Sequence, residues 1–201
     1  MRTVARMRIA IVLLTGLLCN LACSPRDFLT RRLAGDLISA SEPFRALQDF
    51  VLTTGVLSNK DFDAPENLIL QRRGWIIGTQ QKCPPGIDPP PCWDVVLSPA
   101  GVEVFKSLIP QPPSRALTLH VARRELVAVT GISKAGNFAD VDFLWHWAPM
   151  NEVGAALYDS GARYRSTVAF RRFDDGWRVV TEQFRGNQAI EDALRDAQPA
   201  P

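Results

Sequence analysis

The sequence predicts an α+β protein: N-terminal helices with a disulfide-stapled β-hairpin, then a curved antiparallel sheet of about four strands. Three observations carry that prediction. Before Gly74, apolar residues recur every three or four positions, the helical period. The pair Cys83 and Cys92 then brackets a proline-rich tip between two strand-like runs. After residue 115, strand-like segments follow one another with short turns, and Asp174-Asp175-Gly176 marks a hairpin. An apolar fraction of 46% and a charged fraction of 22% fit a globular chain of 201 residues. They exclude wholesale disorder, a collagen-like repeat and a multi-span membrane protein.

The first segment in chain order lies outside that fold. Residues 1–22 contain Arg2, Arg6 and Arg8 and no acidic residue, followed by an apolar run over residues 9–18. The run is about half the ~20 residues a spanning helix needs. A basic start and a short apolar core describe a secretory signal peptide. No twin arginine occurs in it, which favours the general secretion route. The formal charge of the whole chain is +2; without those three arginines the remainder carries −1. The basicity therefore belongs to the leader, and no nucleic-acid partner is expected.

Asn20-Leu21-Ala22-Cys23 follows directly. A cysteine after a small residue at this place resembles the lipobox of bacterial lipoproteins, with Asn20 and Leu21 where that pattern prefers an aliphatic and a small residue. The resemblance implies that Cys23 is acylated and anchors the chain to a membrane, each buried methylene contributing ~0.8 kcal/mol. The alternative is ordinary cleavage nearby, with Cys23 a loose thiol. Cys19 lies inside the leader, so Cys83 and Cys92 remain. In an oxidising compartment they read as a disulfide. A metal or redox pair is the weaker reading, because no second Cys or His cluster lies nearby.

Within the chain from residue 23, Leu29, Leu33 and Leu37 predict a helix over 26–38. Ser41-Glu42-Pro43 reads as a second helix start, with Phe44, Leu47, Phe50 and Val51 continuing one face as far as Gly55. A third helix is expected over 65–73, stopped by Gly74. Strands over 75–82 and 93–97 form the hairpin, and Ser98-Pro99 opens a helix striped by Val102, Phe105, Leu108 and Ile109. The proline-rich linker 110–114 divides a helical subdomain (23–109) from a sheet subdomain (115–186). In the latter, strands are expected at 117–121, 126–132, 141–147, 164–171 and 177–180, with a connection over 149–159. The tail 187–201 is expected to fray.

Residues 64–108, with the step Leu97-Ser98-Pro99-Ala100-Gly101, resemble the back of a winged-helix domain. DNA binding does not follow, because an exported protein meets no chromosome and no basic recognition helix is evident. The run from Ser166 to Val180 resembles the terminal hairpin of nuclear-transport-factor-like and cystatin-like α+β domains. Those folds host enzymes as well as binding domains, so the likeness implies no chemistry. Taken whole, the chain resembles an uncharacterised bacterial envelope lipoprotein.

Candidate sites are few. His120 and His146 are the two histidines; Asp142 lies four residues before His146 on one strand, roughly 13 Å away, too far to form a dyad. No phosphate loop, nucleophile elbow or H-E-x-x-H motif occurs, so neither a catalytic residue nor a cofactor or metal is expected. Trp145, Trp147, Phe170 and Trp177 are expected on one sheet face, either lining an apolar ligand pocket or filling a core. Four Arg-Arg pairs, at 31–32, 72–73, 123–124 and 171–172, read as solvated faces or as contacts to an anionic partner. The expected function is a lipid-anchored envelope protein acting as a non-catalytic binding or assembly module with an envelope partner. The alternative is a ligand-binding or weakly catalytic pocket in the C-terminal sheet.

Overall fold

The computed structural model describes residues 28–87, 90–108, 116–183 and 186–200. The expected leader, Cys23 and the linker 110–114 lie outside the described residues. The fold is α+β, and its larger sheet is antiparallel.

Helix α1 (Arg31–Ala40) forms in the region expected but is shifted: Phe28–Thr30, expected to be helical, precede it, and it runs two residues past Ile38. Thr30 caps it, its hydroxyl accepting from the Leu33 amide at 3.1 Å. Its buried side carries Ala34, Gly35 and Ile38, and it lies on the larger sheet. Helix α2 (Glu42–Arg45) has Pro43 in its first turn, as expected, but ends after one turn. The helix expected to continue to Gly55 is instead two strands, β1 (Gln48–Thr53) and β2 (Gly55–Ser58). Phe50 and Leu52 are buried while Asp49 and Val51 are exposed, a period of two rather than 3.6. Pairing with a distant strand overrides the local spacing.

Two short helices follow, α3 (Asn59–Phe62) and α4 (Pro65–Arg72). The expected hairpin is present as β3 (Ile76–Gln81) and β4 (Cys92–Leu97), joined by the Cys83–Cys92 disulfide with a Cα–Cα distance of 5.0 Å. With β2 they form a three-stranded antiparallel sheet in the order β2-β4-β3. Helix α5 (Pro99–Lys106) is capped by Ser98, whose hydroxyl accepts from the Gly101 amide and donates to the Gly74 carbonyl.

The larger sheet contains β5 (Ala116–Ala135), β6 (Phe138–Pro149), β7 (Arg163–Phe173), β8 (Gly176–Val179) and β1, in the order β1-β5-β6-β7-β8. The runs 117–121 and 126–132 belong to one strand, β5, with register shifts at Leu126/Ala128 and Val129/Gly131 that bend it. Helix α6 (Glu152–Leu157) fills the connection between β6 and β7. The tail expected to fray folds as α7 (Ile190–Arg195) and β9 (Gln198–Ala200), which pairs with β7. Burial of Ala189, Ile190, Ala193 and Leu194 against the sheet holds it there.

Two apolar cores result. One lies between the larger sheet, α1 and α7; the other joins the smaller sheet to Phe50, Leu52, Leu119, Val121 and Val153. Each draws residues from both sides of positions 110–114, so packing continues across that boundary.

Candidate functional site

The four aromatic residues of the expected ligand face do gather on one side of the sheet, and that side is filled. Phe170 is fully buried, Trp145 and Trp177 nearly so, all in the core beneath α1 and α7. Trp145 donates its indole N–H to the Ser166 hydroxyl at 3.0 Å, inside the core. It stacks on Tyr164, with ring centroids 4.9 Å apart, and meets Trp147 edge-on at 5.2 Å. Trp147 alone of the four is half-buried.

The histidines find partners that the sequence did not reveal. His120 Nδ1 lies 2.5 Å from Asp49 Oδ1, on the neighbouring strand β1. His146 Nε2 lies 3.6 Å from Glu125 Oε2, its cross-strand partner on β5. Asp142 instead accepts from the Thr167 hydroxyl at 2.6 Å. Among the described residues neither imidazole hydrogen-bonds a serine, threonine or cysteine, so no nucleophile–base pair forms. Among the same residues, no group of three His, Cys, Asp or Glu side chains could hold a metal ion.

The most developed surface feature surrounds Arg124. Its guanidinium lies 4.5 Å from the centre of the Trp147 ring, its cross-strand partner, and 5.7 Å from that of Trp145. Nη1 donates to the Pro43 and Ala46 carbonyls at 3.0 and 3.2 Å, tying β5 to α2. Nε is buried and has no partner among the described residues. Burial pulls the Arg124 guanidinium below its usual pKa. Tyr158 packs on Trp147, with ring centroids 5.4 Å apart, and burial pushes its phenol up; Glu66 adds to the rise and a hydrogen bond to Gln48 opposes it.

Arg124 is shared by two adjoining surface grooves of about 760 and 630 Å³. The larger runs between α1 and β5, with Arg31, Arg32, Arg45 and Arg123 completing a set of five arginines. Asp36 and Glu125 are the acidic residues on its walls, leaving the lining at +3. Two of the four Arg-Arg pairs thus converge, because α1 packs on β5. Arg123 is neutralised by Glu125, which accepts from Nε and Nη2 at 3.0 and 2.7 Å. Arg31 donates to the Thr130 carbonyl at 3.1 Å, a contact that orients it without cancelling its charge. Arg32 and Arg45 are exposed and have no side-chain partner among the described residues. The groove offers convergent cations and suits oxyanions such as phosphates. Comparison with known proteins finds no matching family model, no matching curated protein and no matching solved structure.

Proposed function

We propose that the protein is exported to the bacterial cell envelope, anchored by acylation of Cys23, and acts there as a non-catalytic binding or assembly module. The observation that carries the non-catalytic half is the filled sheet face: with Trp145, Phe170 and Trp177 packed in the core, recognition falls to the exterior. The competing reading, an apolar-ligand or weakly catalytic pocket, requires an open cavity behind those side chains. The Cys83–Cys92 bridge supports an oxidising compartment. The leader pattern and Cys23 supply the route and the anchor.

Metabolic labelling with palmitate, followed by membrane fractionation, tests the anchor. The wild-type chain is expected to carry label in the membrane fraction, and Cys23→Ala to lose both label and membrane association. An unlabelled wild-type chain overturns the anchor. Site-specific photo-cross-linking in intact envelopes, from positions on the exposed faces, tests the module; a chain that cross-links to nothing from any face overturns it.

A further inference from the structure

We propose that the arginine groove between α1 and β5 is a docking surface for anionic phospholipid headgroups, seating the folded domain flat on the bilayer that holds its anchor. The inference rests on the lipid-anchor reading for its geometry, but the groove can be tested without the lipid.

Three observations point to this occupant. The first is charge: a lining of +3 stands out in a chain that carries −1 once the leader is set aside. The exposed Arg32 and Arg45 have no carboxylate to neutralise them among the described residues. Juxtamembrane basic clusters are attracted to anionic leaflets for this reason.

The second is reach. Arg31, the first residue of α1, lies eight positions after Cys23. Even fully extended, that stretch spans about 30 Å. An acylated Cys23 therefore holds the start of α1, and the groove beside it, close to the bilayer surface. Tethering raises the effective lipid concentration, so weak headgroup contacts suffice.

The third is the mixed character of the rim. Leu47, 41% exposed, lines the groove, and Phe28, 58% exposed, stands on the segment leading from Cys23 to α1. Apolar side chains beside arginines match the interfacial layer, where apolar groups enter and guanidinium groups meet phosphates. A soluble anionic partner gives no reason for an exposed phenylalanine on the tether.

The test is vesicle co-sedimentation of the exported, unacylated Cys23→Ala chain. The probes are neutral phosphatidylcholine vesicles and vesicles containing 30% phosphatidylglycerol. Binding is expected on the anionic vesicles, at least about tenfold weaker on neutral ones, and lost in 0.5 M salt. Arg32→Glu with Arg45→Glu is expected to weaken binding by at least about tenfold, and the Gln pair by about half that in logarithmic terms. Both arginines are exposed, so melting temperature should hold. Arg72→Glu with Arg73→Glu changes net charge equally on an exposed site at the end of α4 and should leave binding intact. Equal binding by wild type and groove variants, or equal loss in the Arg72/Arg73 control, overturns the proposal. So does sedimentation with a purified anionic cell-wall polymer but not with anionic vesicles, which would assign the groove to the wall. Palmitate labelling reports on Cys23 separately, so loss of the anchor reading and loss of the groove reading give different results.

Discussion

Asp49 and His120 face each other across β1 and β5, with Oδ1 2.5 Å from Nδ1. The contact has the look of a catalytic dyad, but its setting argues otherwise. The side chains are 50% and 61% exposed, so water screens the pair. It acts as a cross-strand clamp on the edge strand β1. A double-mutant cycle with Asp49→Ala and His120→Ala, read by urea denaturation, is expected to give a coupling below about 1 kcal/mol. A coupling above about 2 kcal/mol would mean that the pair is shielded from water, and would return it to consideration as a general base.

That pair also marks where sequence reasoning stopped. The stapled hairpin, α1, α5 and the strands of the C-terminal sheet were legible because their signals are local: a period, a cap, a turn, a cysteine pair. Residues 48–53 were not. Phe44, Leu47, Phe50 and Val51 imitate a helical stripe, yet Leu47 and Val51 are exposed and Leu52 is buried. Pairing of β1 with residues 116–122, about seventy positions away, decides the outcome. Non-local pairing also hid Asp49 from His120, 71 positions apart, and Glu125 from His146, whose register is set by the β5–β6 ladder. The arginine pairs were visible one by one, but their convergence depends on α1 lying on β5. In the tail, Ala and Pro content masked Ile190 and Leu194, whose burial folds it.

Helix propensity and packing make opposite predictions for two glycines. Gly154 in α6 and Gly101 in α5 each occupy the third position after a capping side chain, Asn151 or Ser98, that accepts from the glycine amide. A backbone carbonyl presses on each: a Cβ would lie 1.8 Å from Val121 O at Gly154 and 2.0 Å from Trp75 O at Gly101. Propensity alone would make alanine more stable by up to about 1 kcal/mol. Packing wins, because a backbone oxygen cannot move aside as a side chain can. Gly154→Ala and Gly101→Ala are each expected to destabilise by about 1–3 kcal/mol in chemical denaturation. Gly35→Ala in α1 is the control: its Cβ would meet only side chains, Leu126 at 3.1 Å and Val129 at 3.7 Å, which can give way, and the change should be near neutral. Equal effects at all three glycines would contradict this account of the close approaches.

The Tyr158 phenol gives the stability curve an alkaline limb. Burial raises its pKa above the ordinary 10.0. Above pH 10 the unfolded chain therefore loses the phenolic proton before the folded one does. The native state binds more protons in that window, so stability falls as pH rises. The contribution is fully present below pH 10 and is lost as pH climbs through the folded value. Tyr158→Phe removes the titration, together with the hydrogen bond to Gln48. Urea denaturation at stepped pH should show wild type and variant diverging little below pH 9, apart from a constant offset. Above pH 10 the wild type should lose stability faster. Parallel curves through that range would show that Tyr158 titrates alike in both states.

The filled aromatic face has two consequences that an open pocket would reverse. Trp145 is 2% exposed and packs against Trp147 and Tyr164, with its indole N–H satisfied by Ser166. Removing it leaves a void walled by rigid strands and an orphaned hydroxyl. Trp145→Ala is therefore expected to cost about 3–5 kcal/mol, the range for large aromatic side chains deleted from cores. Phe170→Leu, which keeps most of the volume, should cost much less. A ligand pocket predicts the contrary pattern: a tryptophan lining an empty cleft contributes little to stability, and its fluorescence moves when an apolar molecule enters. Titration of the wild-type protein with a long-chain fatty acid below its micellar concentration should leave the tryptophan emission maximum unchanged. A saturable blue shift together with a mild Trp145→Ala destabilisation would mean that the face opens to ligands. Recognition would then have to be sought inside the sheet rather than on the arginine-lined surface.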